Sequence, residues 1–209
     1  MADRSRGSEK TLKVIKDYTL MLIWAVLLAG IIRGGIVEAC HVPSGSMEPA
    51  MQIGDHFLVN KTAYGLKLPY TNLELLPMGL PERGDIAVFR YPEDKSQTFV
   101  KRIMALPGET VLVRGKDIYI NHKKIKDPWG FFTGRALMRK DFGPFKVPDG
   151  HFFMMGDNRD NSYDSRFWAQ GKGMCVPLCD IKGKAFFRYF AFKGDSYAIR
   201  WERMPGIVK

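Results

Sequence analysis

The sequence predicts a mainly β protein: an N-terminal transmembrane helix followed by an antiparallel β-sheet domain that carries a small second subdomain. Three observations lead there. A single long apolar run lies near the N-terminus, from Tyr18 to Ile32. Beyond Pro43 helical periodicity fades, and short β-branched or aromatic runs recur between Gly, Pro, Asn and Asp punctuation. The chain has 209 residues, of which 45% are hydrophobic and 26% charged, enough for one membrane segment plus one domain with a real core and unlike a disordered chain.

The apolar run reads as a membrane segment. From Tyr18 to Ile32 it spans about 22 Å as a helix. If Arg33 snorkels and the run continues to Val37, it spans about 30 Å, the thickness of a hydrocarbon core. Residues 1–17 are then a cytoplasmic N-terminus, 18–37 the transmembrane helix and 38–209 an extracytoplasmic domain. Orientation follows from charge: Arg4, Arg6, Lys10, Lys13 and Lys16 precede the run, and after it Arg33 is the only Lys or Arg before Lys61. A cleaved secretory signal is the alternative, and Val37-Glu38-Ala39-Cys40 faintly resembles a lipoprotein cleavage site. Either reading exports the domain.

The formal net charge of +10 is scattered among aromatic residues and glycines rather than gathered into an arm or stripe, and no nucleic-acid-binding motif accompanies it. It suits attraction to membrane lipids with anionic headgroups, and not nucleic acid.

Candidate strands are His56–Asn60, Ile86–Arg90, Thr98–Leu106, Thr110–Val113, Asp117–Ile120, Phe152–Met155, Gly183–Ala191 and Ser196–Trp201, with 110–120 forming a hairpin across Arg114-Gly115-Lys116. Residues 123–147 lack a clear period and are expected to leave the main sheet as the small subdomain. The aromatic residues of Pro128-Trp129-Gly130-Phe131-Phe132 would fill a satellite core or dip into a membrane.

Cys40, Cys175 and Cys179 are too few for a disulfide scaffold; Cys175 and Cys179 are either bridged around Pro177 or free. His41, His56, His122 and His151 have no metal-ligand spacing. The polar run Gly156 to Arg166 superficially suggests a calcium loop, but Arg159, Ser162 and Trp168 stand where an EF-hand needs an oxygen ligand, a glycine and a bidentate glutamate. No metal or cofactor is expected.

Pro43-Ser44-Gly45-Ser46-Met47-Glu48-Pro49 sets two hydroxyls around a glycine in a Pro-bounded loop, which suits an exposed nucleophile but, taken alone, is more often an ordinary turn. In Phe99-Val100-Lys101-Arg102-Ile103, strand alternation sends Phe99, Lys101 and Ile103 to one face and Arg102 to the other. Lys101 would emerge between apolar neighbours, where desolvation disfavours its ammonium. Lowering a lysine from about 10.4 to about 7 takes roughly 4.6 kcal/mol, within what burial can do. A neutral lysine accepts a serine proton.

These blocks, with Gly54 to Lys61, Arg83-Gly84-Asp85 and Leu106-Pro107-Gly108-Glu109, occur in an order that resembles the type I signal peptidases, serine peptidases with a Ser/Lys dyad. The resemblance implies an endopeptidase that removes signal peptides from exported precursors after small side chains, anchored by one helix in a bacterial cytoplasmic membrane with its catalytic domain in the periplasm. It implies Ser46 as nucleophile, Lys101 as general base, and the Ser46 N–H with the Ser44 hydroxyl as oxyanion donors. Ser162 would orient the base, Asp157 and Arg102 would form a supporting ion pair, and Asp164 with Arg166 would belong to the same scaffold. Val42, Met47, Met51, Phe99 and Val100 would line the substrate pocket.

Three features depart from the family pattern: Cys40 in place of a bulkier apolar residue, an insertion over 169–175, and a short 123–147 segment. Self-cleaving Ser/Lys repressors share a similar dyad but need a DNA-binding domain where this chain has its apolar run. A tethered, non-catalytic β-domain would leave Lys101 solvated.

Overall fold

The computed structural model describes residues 2–67, 74–76, 78–134, 141–194, 196 and 198–208. Helix α1 runs from Ala2 to Ile31 and passes into a π-helical turn, Ile32–Ile36. Between Lys13 and Gly30 its apolar side chains, among them Leu20, Met21, Trp24 and Leu27, are exposed. Residues Lys13–Ile36 form a stretch of 24 residues long and apolar enough to cross a membrane, about 36 Å of helix. The helix therefore starts well before Tyr18. Val37, expected to close it, instead opens the first strand.

Among the described residues fourteen strands follow: β1 (Val37–His41), β2 (Asp55–Asn60), β3 (Leu66–Lys67), β4 (Glu74–Leu76), β5 (Ile86–Arg90), β6 (Thr98–Ala105), β7 (Thr110–Arg114), β8 (Asp117–Ile120), β9 (Lys123–Lys124), β10 (Phe142–Lys146), β11 (His151–Met155), β12 (Val176–Pro177), β13 (Ile181–Ala191) and β14 (Gly206–Ile207). The main sheet has the order β1-β2-β13-β5-β6-β11-β12, with β14 also on β13, and its pairs are antiparallel. A second sheet has the order β10-β7-β8-β9, and β3 pairs with β4.

The fold class is as the sequence indicates, with two boundary corrections. The second sheet begins at Thr110, so the hairpin belongs to the subdomain, and among its described residues the expected excursion supplies β9 and β10 to it. Residues 135–140 of that excursion lie outside the described residues. The expected strand Ser196–Trp201 is the other correction. Apart from Tyr197, outside the described residues, it shows one isolated bridge, Phe192 to Ile199, and then a 3₁₀ turn, Trp201–Arg203.

Strand β6 shows how the layers fit together. Ile103 and Met104 point to opposite faces, yet both are fully buried. Ile103 joins Phe89, Met154 and Trp168 in one cluster, while Met104 joins Val111, Ile118, Phe142 and Phe153 where the second sheet covers the first. A third cluster, with Val42, Met47, Met51, Phe57 and Val88, lies under the loop that carries Ser46. The thiols of Cys40, Cys175 and Cys179 are all free; Cys175 is buried and Cys179 exposed.

Candidate active site

Ser46 sits on the β1–β2 loop. Ser44 is extended (φ −139°, ψ 156°), and Gly45–Met47 then makes one 3₁₀ turn closed by Glu48 N–H donating to Gly45 O at 3.2 Å. Met47 and Met51, fully buried beneath, anchor that turn in the core. The Ser46 N–H lies in the turn's first residues, where no intrahelical acceptor exists. Ser44 Oγ is 3.4 Å from Ser46 Oγ.

Lys101 reaches the same spot from β6. Its Nζ lies 2.6 Å from Ser46 Oγ although the two residues are 55 positions apart in the chain. Strand alternation brings it there: Lys101 pairs with Ala87 on β5 and projects past the Phe99 ring, whose centroid is 5.6 Å from Nζ. Only 5% of Lys101 is exposed. Burial pushes the Lys101 ammonium down to about 8, against the pull of the Asp164 and Asp157 carboxylates and with a push from the Arg166 charge.

The Gly156–Arg166 loop forms the base of the site. Arg102 donates to both oxygens of Asp157, at 2.7 and 2.6 Å, and to Gly84 O at 2.6 Å, while its guanidinium lies 4.8 Å from the Trp129 ring. Trp129 thus packs onto the polar scaffold and, as the satellite-core reading expects, against the buried cluster around Met104 and Phe153, while Phe131 is exposed. Burial raises the Asp157 carboxyl above its ordinary range, with Arg102 opposing. For Asp164, burial also works against the carboxylate, but Arg166 at 2.8 and 2.9 Å and the Gly156 N–H at 3.0 Å hold it below that range.

Ser162 differs from its expected role. Among the described residues its buried Oγ makes no hydrogen bond of good geometry, to Lys101 or otherwise. It lies against Gly156 and close enough to Asp164 to favour that carboxylate.

A groove of about 630 Å³ opens above Ser46 and Lys101. Phe99 and Val100 line it, as do Cys40, His41, Phe57, Val88, Asn161 and Tyr163. Val42, Met47 and Met51, expected on its wall, lie in the core behind the loop instead. Their apolar character answers to the packing of the 3₁₀ turn.

Two further residues went unassigned in the sequence. Asn158 donates its backbone N–H to Ser46 O and its side-chain amide to Gly45 O, each at 3.1 Å. Asp127 pairs with Arg159, whose Nε also donates to Gly156 O at 3.0 Å. Asn158 lies within a recognised block, so position alone could have flagged it. Asp127 lies 32 residues from its partner and carries no local signal.

The family model described as "Signal peptidase, peptidase S26" matches residues 15–190. A signal peptidase I of Pseudomonas aeruginosa is 40% identical over 204 residues, covering 83% of this chain and 72% of that one. The signal peptidase I of Pseudomonas fluorescens is 38% identical with the same coverage, and a probable signal peptidase I-2 of Synechocystis sp. is 37% identical over 81% of this chain and 70% of its own. Similarity that spans most of both partners, and takes in the Ser46 loop, β6 and the Gly156–Arg166 loop alike, makes this chain a member of the type I signal peptidase family, peptidase S26.

Proposed function

We propose that this protein is a membrane-anchored endopeptidase that cuts signal peptides from exported precursors, with Ser46 as nucleophile and Lys101 as general base. The observation that carries the proposal is the 2.6 Å approach of Lys101 Nζ to Ser46 Oγ, made by an amine whose burial favours its neutral form. A neutral amine has a lone pair to accept the hydroxyl proton; an ammonium has none.

The chemistry then runs in two halves. Ser46 Oγ attacks the scissile carbonyl carbon while its proton passes to Lys101 Nζ. The resulting oxyanion is held by the Ser46 N–H and the Ser44 hydroxyl. Collapse breaks the C–N bond, and the Lys101 ammonium returns its proton to the departing amine. A water next attacks the Ser46 ester, giving one proton to Lys101, and the released Ser46 oxygen takes it back.

Strand edges support the substrate class. Strand β11 ends at Met155, opposite Arg102, so among the described residues Thr98–Lys101 pair only with β5. An extended peptide could add to that free edge, its main chain hydrogen-bonded and its small side chains fitting between Phe99, Val100, Val88 and Cys40. The helix Lys13–Ile36 ends ten residues before Ser46, which suits a substrate that is itself held in the bilayer. In this reading the N-terminus is cytoplasmic, the domain periplasmic and membrane lipid its surroundings.

The test is the full-length protein in detergent with an exported precursor. Cleavage should release the signal peptide, and Ser46→Ala and Lys101→Ala should each abolish it. Undiminished cleavage by either variant would remove the assignment.

A further inference from the structure

One wall of the groove takes no part in the chemistry above. Tyr163 lines it with 41% of its surface exposed. Its ring stacks on Phe167 at 6.3 Å and 28°, and meets Tyr91 edge-on at 6.5 Å. Tyr91 in turn lies flat on Phe99, at 4.5 Å and 8°, and Phe99 also faces the groove. One carboxylate ties these rings down. Glu93 Oε2 accepts from the Tyr91 hydroxyl and, at 3.5 Å, from the Tyr163 hydroxyl, while Oε1 accepts the Ala169 N–H at 3.0 Å.

The third of those bonds gives the 169–175 insertion a position. Its first residue is fastened to the β5–β6 loop through Glu93, directly behind Tyr163. Phe167 and Tyr91 flank the ring and Glu93 stands within reach of its hydroxyl, which narrows the freedom the side chain has to lose when a substrate side chain lies on its face. A large ring held half-exposed in a concave, mostly apolar groove is the kind of surface that reads a side chain by contact.

We infer that Tyr163 is a specificity-determining residue: it offers an aromatic face that favours a bulky apolar side chain at one position of the signal-peptide substrate, and Glu93 with Ala169 positions it. This rests on the endopeptidase reading. It concerns a substrate position other than those occupied by the small residues next to the cut. An aromatic contact of this kind is worth roughly a three- to tenfold preference.

The experiment uses the full-length protein in detergent and a set of signal-peptide substrates. Ala, Leu or Phe is placed singly at each position from five residues before the cut to three after it, and kcat/KM is measured for wild type, Tyr163→Ala, Tyr163→Phe and Glu93→Ala. At one position wild type should prefer Leu and Phe over Ala, and Tyr163→Ala should reduce that ratio by roughly three- to tenfold. Tyr163→Phe, which keeps the ring, should retain the ratio, and Glu93→Ala, which frees the ring, should weaken it. If Tyr163→Ala lowers all substrates by one common factor, or leaves every ratio as in wild type, the inference is wrong. If wild type cleaves none of the peptides, the endopeptidase reading fails first.

Discussion

Asn158 grips Ser46 from beneath: its N–H donates to Ser46 O and its side-chain amide to Gly45 O, both at 3.1 Å. The 3₁₀ turn that presents the nucleophile is thereby tied to the loop that faces Lys101. Asn158→Ala keeps the backbone bond and loses the other, at a cost of about 1 kcal/mol in stability. The kinetic effect should be larger, because a nucleophile displaced by even a fraction of an ångström leaves its attack geometry. We expect kcat to fall by about tenfold or more with KM little changed, read by single-turnover acylation beside a thermal melt.

Gly156 has no room for a side chain. A Cβ there would stand well under 3 Å from both Ser162 Oγ and Ser46 O. The hydroxyl can yield by a rotamer change, but Ser162 Cβ, at 2.6 Å, and the Ser46 carbonyl cannot. Gly156→Ala should therefore push the nucleophile turn away from Lys101 and lower kcat by about a hundredfold. Trimming Ser162 to Ala in the same chain should not restore it; full recovery in the double variant would show that Ser162 was the obstacle.

Lys101 sets the pH dependence. With its ammonium held at about 8, the neutral form needed for catalysis is a minority at pH 7 and dominant at pH 9. Hence kcat/KM should rise about tenfold over that interval, with a midpoint near 8. Stability moves in the same direction. The unfolded chain holds the Lys101 proton up to its ordinary value, so unfolding takes up a proton between about 8 and 10.5, and this group's penalty on folding fades as pH rises through that window. A profile flat from pH 7 to 9 would mean that Lys101 is not the group titrating.

Asp164 tunes that midpoint. Its charge favours the Lys101 ammonium, and its partner Arg166 disfavours it. Asp164→Asn removes the first influence and leaves the second opposed only by Asp157, which acts more weakly than Asp164, so the rise of kcat/KM should shift to lower pH. Breaking the buried pair should also cost about 3–5 kcal/mol, visible as a lower midpoint in urea.

Much of this was legible in the residues themselves, and the exceptions have physical reasons. β6 and the 110–120 hairpin carry strand-like runs punctuated by Gly, so local pattern and final structure agree. Val37 reads as the end of the apolar segment, and 38–41 is not among the expected strands, because the strand character of β1 comes from pairing with β2, a partner that lies beyond the loop. Ser46 and Lys101 could be named because their blocks stand in an order that resembles a known family; the loop alone suits an ordinary turn, and the strand alone shows only that Lys101 emerges between apolar neighbours. The Asp127–Arg159 pair could not, since it depends on which loops meet in space; Asn158 stood within a recognised block, but the atoms it grips did not show there. Val42, Met47 and Met51 were read as pocket because they flank the nucleophile; the same flanking places them in the core beneath it.

Ser196–Trp201 was misread for a related reason, and its true arrangement makes the final prediction. Asp55, fully buried at the start of β2, receives Arg203 at 2.7 Å, Arg200 at 3.2 Å and Arg188 at 3.6 Å. Arg200 also donates to Ile53 O at 2.6 Å, and Arg203 to Ala50 O at 3.4 Å. A continuous strand through Arg200 would send alternate side chains to opposite faces; the turn at Trp201–Arg203 brings both guanidinium groups back to one carboxylate. The C-terminal segment thereby clasps the end of the loop that carries Ser46. Asp55→Ala would leave three guanidinium groups without their shared anion, costing about 3 kcal/mol after allowance for their partial exposure. It should also let limited proteolysis remove the chain beyond Ala191, with activity falling in step. If the tail stays resistant and activity is kept, the main-chain bonds, including Arg200 N–H to Ala191 O at 2.9 Å, hold the segment without the clasp.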